Sequence, residues 1–210
     1  MVQGLMDQPR VAQNMCWAFT SLSDAAYDQA AAAMTASDAE TPSTYVMSRY
    51  YAPIIEKLLE TTRRPDGNQS NLRAAAYEAV MEMIKNSPED CYPTVLKTTE
   101  EIMKCIQGTF TMQISQSERS QFNDLQSLLC ATLQAVVRKV KPGDISAIAD
   151  QCMEAMLKMM SSSPGVGSIQ EDSLQTIGAL IEVVGHDFAR YMGAFNPFLC
   201  QALDFDIDHD

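Results

Sequence analysis

Apolar residues recur along this chain at helical spacing. Over 70–85 they fall at Leu72, Ala76, Val80, Met83 and Ile84, and over 117–140 at Leu125, Leu128, Leu129, Leu133, Val136 and Val137. Residues three and four apart share one side of a helix, so each set forms a single apolar stripe. No strand-like alternation competes with this period. Eight helical segments are predicted, at about 8–28, 44–62, 70–85, 91–110, 117–140, 145–160, 168–185 and 186–203. Pro65-Asp66-Gly67-Asn68, Asn86-Ser87-Pro88, Lys141-Pro142-Gly143 and the run from Ser161 to Gly167 read as breaks between them. Asp7 is the expected N-cap of the first helix, with Pro9 in its first turn. Ser168 and Glu171 have the spacing of a capping box, and the Ala-rich, acidic stretch from Gln29 to Pro42 reads as a loop.

The segments fall into two alternating classes. One carries a proline between an aromatic and an aliphatic residue: Tyr51-Ala52-Pro53-Ile54-Ile55, Tyr92-Pro93-Thr94-Val95-Leu96 and Phe195-Asn196-Pro197-Phe198-Leu199. The other lacks proline and ends in paired aliphatics, Met83-Ile84, Val136-Val137 and Val183-Val184. Glu78-Ala79-Val80-Met81-Glu82 is echoed by Gly178-Ala179-Leu180-Ile181-Glu182. Helix types alternating with a period of about 40–50 residues indicate a HEAT-type α-solenoid. The expected fold is therefore all-α, a right-handed α-α superhelix, with residues 1–210 forming a single array of about four helix pairs. An exposed proline, which removes one backbone hydrogen bond, suits the outer helices. The proline-free class then lines the inner, concave face.

That assignment bears on Trp17, the chain's single tryptophan. Asn14 lies one turn before it, so the amide and the indole can share a helix face. Such a pair suits an extended cationic peptide, whose side chains stack on the indole and whose backbone meets the amide. The opposing local reading is a buried core tryptophan beside a surface asparagine. Placement on an inner helix favours the peptide-binding reading.

Composition narrows the partners. The net charge of −12 disfavours a nucleic-acid surface and suits basic partners. Acidic candidates on inner helices are Asp24, Glu78, Glu82, Asp124, Glu171, Asp172 and Glu182, each of which is otherwise an ordinary solvated position. Cys16, Cys91, Cys105, Cys130, Cys152 and Cys200 show no CxxC pairing and read as small buried hydrophobes in a reducing compartment. His186 and His209 lack neighbours at metal-ligand spacing, so no metal or other cofactor is expected. No apolar run is long enough for membrane insertion, and no secretory signal opens the chain. Both ends read as cuts through something longer. The Ser161–Gly167 run lacks the Lys-Ser/Thr ending of a phosphate loop. Cys91 has no histidine partner, and Asp206, Asp208 and Asp210 around His209 read as a frayed end. No catalytic residue is expected.

At DQPRVAQNMCWAFTSL, KLLETTRRPDGNQSNLRAAAYEAVMEMIKNSPEDCYP, QFNDLQSLLCATLQAVVRKV and GSIQEDSLQTIGALIEVVGHDFARYMGAFNPFL the chain resembles the importin-beta (karyopherin-beta) family of nuclear import receptors. The similarity runs over nearly the whole chain, with Gln29–Glu40 and the C-terminal DFDIDHD less characteristic. The family protein is about four times longer, so the resemblance is to a central block of its HEAT repeats. It implies capture of the basic importin-beta-binding segment of importin-alpha, or of other basic cargo signals. It also implies release by GTP-bound Ran and contact with FG-repeat nucleoporins. The main Ran surface belongs to repeats outside this block, and any FG contact here would use gaps between proline-class helices. A distribution over cytoplasm, nucleus and nuclear pore follows from the same resemblance. The position of Trp17 matches a family tryptophan that stacks on basic side chains. With Asn14 beside it carried over on the same match, the candidate peptide-binding set is Asn14, Trp17, Ser21, Asp24, Glu78 and Glu82. The alternative is a HEAT-repeat scaffold of the phosphatase-scaffold or coat-protein type, which holds protein partners without capturing a basic peptide.

Overall fold

The computed structural model describes residues 2–34, 41–162 and 168–207. Eight α-helices follow one another: α1 Pro9–Ala32, α2 Ser48–Thr62, α3 Leu72–Lys85, α4 Tyr92–Thr109, α5 Arg119–Lys139, α6 Pro142–Ser162, α7 Ser168–Val184 and α8 Met192–Ile207. Among the described residues there is no strand. The chain divides into two compact units, 1–100 and 101–210.

In the first unit α3 packs against both α1 and α2. The predicted stripe of α3 is the buried one, with Leu72, Ala76, Val80, Met83 and Ile84 all fully inaccessible. Phe19 and Cys16 of α1 and Tyr51, Ile55 and Leu58 of α2 are buried as well, on the helices that pack against α3. Burying each large aliphatic side chain contributes about 1.5–3 kcal/mol. Tyr51 brings a hydroxyl into that core, where it donates to the Met83 carbonyl at 3.0 Å. A short 3-10 turn, Val2–Met6, lies against α1 and α2. Gly4 permits the approach, since a Cβ there would stand 2.7 Å from Met15 Cγ.

The second unit repeats the arrangement, with α7 packed on both α5 and α6. Leu129, Leu133, Val136 and Val137 of α5, Ile177 and Leu180 of α7, and Met156 and Met159 of α6 are all buried. Sulfur fills part of this core. Cys130 Sγ lies 3.5 Å from Met159 Sδ, and Cys152 Sγ lies 3.7 Å from Met103 Sδ. In both units one helix packs on the helix before it and on the one before that.

Pro53, Pro93 and Pro197 are all exposed. Pro53 and Pro197 lie inside helices, whereas Pro93 is the second residue of α4, where no intrahelical N–H is needed. Pro142 likewise opens α6, so it starts a helix three residues earlier than the sequence suggested. Val183 and Val184, the paired aliphatics that end α7, are half-buried.

Several boundaries differ from expectation for local reasons. The N-cap position of α1 is Gln8, and Asp7 Oδ1 instead accepts the Gln8 N–H at 2.7 Å. The helix continues to Ala32, because alanine favours helix over loop. Residues 35–40 of the acidic stretch lie outside the described residues, as do 163–167 of the Ser-Pro-Gly run. α2 begins at Ser48, whose Oγ accepts the Tyr45 N–H at 3.1 Å. α3 begins at Leu72, because Ser70 and Asn71 adopt left-handed backbone angles, φ 52° and 53°. Ser168 is the first residue of α7 itself, while a reciprocal capping box forms between Ser115 and Glu118, ahead of α5. Gly185, at φ 61°, closes α7. Gly185–Tyr191 is a 3-10 stretch, so α8 starts at Met192 and not at His186. His209 and the end of DFDIDHD, 208–210, lie outside the described residues.

Candidate peptide-binding face

The buried residues of α1 are Ala12, Cys16, Phe19, Ser23 and Ala26. Their spacing leaves a second stripe beside them, formed by Asn14, Trp17, Ser21 and Asp24, and all four are exposed. Trp17 keeps 50% of its surface accessible. The local expectation of a core tryptophan therefore fails, since Cys16 and Phe19 take the buried positions on either side of it. Asn14 and Trp17 do lie on one helix face, one turn apart.

Asp24 is joined to α3. The buried Asn86, 6% exposed, directs its amide nitrogen to Asp24 Oδ1 at 3.4 Å and to Glu82 Oε1 at 2.9 Å. Two carboxylates around one side-chain amide require its NH2 end, which has two donors. Lys85 Nζ also reaches Glu82 Oε1, at 3.1 Å, from a side chain that is 69% exposed. Glu78 is exposed one turn before Glu82. Its charge, after desolvation, helps to push the buried Cys16 thiol up to about 12. The six predicted residues thus lie on two packed helices of the first unit, and Asp24 and Glu82 share a donor.

The remaining acidic candidates are in the second unit. Asp124 and Glu171 are exposed, Asp172 is half-buried, and Glu182 accepts Arg138 Nε of α5 at 3.0 Å. Glu182 occupies the place in α7 that Glu82 has in α3; its cation comes from the neighbouring helix, whereas that of Glu82 is Lys85 of the same helix.

Two side chains not singled out from the sequence hold the entry to α1. Arg64, in the α2–α3 turn, donates to the carbonyls of Leu5 and Asp7 at 2.6 and 2.8 Å, and to both Asp66 carboxylate oxygens at 2.8 and 2.7 Å. Its hydrogen bonds hold the Asp66 carboxyl below the usual aspartate range. Arg73 donates to the Thr62 carbonyl at 3.1 Å and to Asn68 Oδ1 at 2.6 Å. The only sequence signal for either was an arginine beside a turn.

The thiols argue against nucleophilic chemistry. Cys16, Cys91, Cys130 and Cys152 are buried, and desolvation drives each up to about 12, opposite to the shift that activates a cysteine. Cys105 is half-buried and Cys200 is exposed, so the reading of all six as core residues is corrected at Cys200. Among the described residues, no group of three His, Cys, Asp or Glu side chains could hold a metal ion, and no helix is long and apolar enough to cross a membrane.

Helices packed in this way, with an exposed tryptophan on α1 and no strand among the described residues, have the form of a helical-repeat protein. Residues 1–210 match the family described as Importin subunit beta-1-like, TPR repeats, and the chain belongs to that family. It is 31% identical to Importin subunit beta-1 of Schizosaccharomyces pombe and 30% identical to that of Arabidopsis thaliana, over 97% and 95% of its own length. It spans 22% of the length of each of these relatives. A crystal structure of importin beta grown in ammonium sulfate superposes with a TM-score of 0.84 at 26% identity, over 96% of this chain and 22% of that one. The HEAT-repeat solenoid class expected from the alternating helices is thereby established.

Proposed function

We propose that this chain is a segment of a nuclear import receptor that captures a basic peptide on its α1–α3 face. The basic segment of importin-alpha is the partner that the family resemblance suggests. The observation carrying this reading is Trp17. A half-exposed indole costs apolar surface in water and is retained in line with Asn14 and Asp24. A cationic side chain over the indole gains about 0.5–2 kcal/mol. Exposed ion pairs at Asp24, Glu78 and Glu82 add only about 0–1 kcal/mol each. Stacking at Trp17 therefore gives position, and the carboxylates favour basic over acidic partners. GTP-bound Ran and FG-repeat nucleoporins enter as partners of the longer protein, and with them a distribution between cytoplasm, nucleus and nuclear pore.

Titration calorimetry with a basic importin-alpha-type peptide, beside a thermal melt, tests the reading. Trp17→Ala weakens binding by roughly 2- to 30-fold, the equivalent of the stacking energy, and leaves the melting temperature within a degree or two. Unchanged affinity, or loss of the fold, would overturn it. Binding of acidic and basic peptides alike would favour a general scaffold.

A further inference from the structure

Asn86 belongs to neither the sequence-derived site nor the core, yet it is buried and its one amide nitrogen meets carboxylates from two helices. We infer that Asn86 is the positioning residue of the peptide-binding face, a neutral donor that orients Asp24 and Glu82 together without cancelling their charge. This rests on the peptide-binding reading of that face.

The second unit supplies the contrast. Glu182, at the echoed position of α7, is held by Arg138, so its orientation comes with a compensating cation. Residue 186 there, a hundred positions after Asn86, is an exposed histidine. In the first unit the donor inside the interface is an uncharged amide that reaches both carboxylates, while Lys85, on a side chain 69% exposed, pairs with Glu82 at 3.1 Å. An amide donor fixes two acceptors through its two N–H groups. The amide adds no charge of its own, so it leaves the negative potential of Asp24 in place for an arriving arginine or lysine. Holding the carboxylates before binding also removes the side-chain ordering that each would otherwise require.

The test is a double-mutant cycle with a fluorescein-labelled arginine- and lysine-rich helical peptide on the full 210-residue chain. Asn86→Ala weakens binding about 2- to 10-fold, the size of one net hydrogen bond. The same change made on an Asp24→Ala/Glu82→Ala background has no further effect. In nitrogen-correlated NMR spectra, the Asn86 side-chain NH2 signal moves when Asp24 or Glu82 is replaced, and moves again on addition of peptide. A thermal melt of each variant accompanies the binding. Full affinity in Asn86→Ala, or an equal loss on the background without the two carboxylates, overturns the positioning role and leaves the peptide-binding reading standing. Failure of the unaltered chain to bind removes both.

Discussion

Trp17 and Cys200 are exposed although their residue types favour burial, and each exposure has a measurable consequence. For Trp17 it is the peptide titration described above. For the cysteines it is a graded reactivity. Cys200 is accessible, whereas Cys16, Cys91, Cys130 and Cys152 are buried with thiols near 12. In native buffer near pH 8 a thiol reagent modifies Cys200 first. The four buried thiols react only as denaturant opens the fold, which a mass-resolved time course reads. Rapid labelling of Cys130 in the native state would contradict the packing against Met156 and Met159. Residue type alone misplaced Trp17, because the decision depended on which of two adjacent α1 stripes met α3. Asn86 was invisible for a related reason. It stood in a turn signal, Asn86-Ser87-Pro88, and its two partners are 62 and 4 residues away.

At the scale of elements, the helices could be read from period alone, but their ends could not. Periodicity reports burial, and burial continues past the point where the backbone leaves the helix. Ser70 and Asn71 lie in the predicted third helix yet adopt left-handed angles. Alanines 30–32 look like loop only because the acidic stretch follows them. The α2–α3 turn carries the clearest pH dependence. Arg64 holds Asp66 ionised below the usual aspartate range. A depressed folded-state pKa contributes stability that is complete above the unfolded value and is lost as pH falls through the folded one. Acid titration below about pH 4 therefore loosens the Arg64 anchor on Leu5 and Asp7. Arg64→Ala removes that portion of the acid sensitivity and lowers the melting temperature at neutral pH. Identical acid profiles for the two proteins would show that the anchor does not contribute.

At the scale of the molecule, charge decides which partners approach. A chain of net charge −12 accelerates and stabilises encounter with a basic peptide, and salt screens that attraction within about 8–10 Å at physiological ionic strength. Affinity for the basic peptide falls as salt rises from 50 to about 300 mM. The loss lies mainly in the association rate, as stopped-flow mixing reads. The part contributed by Trp17 persists, so the ratio of wild type to Trp17→Ala changes little across the series. A salt-independent affinity would mean that the carboxylates take no part.

α3 buries eight of its fourteen residues between α1 and α2. The exposed and half-exposed remainder, with Glu78, Glu82 and Lys85 on it, carries the charge. The two sets do not overlap, so exchanges at exposed positions such as Glu78 and Lys85 change the surface charge while the packing of the core stays in place. In such a helix the charge shown to solvent can drift separately from the capacity to fold.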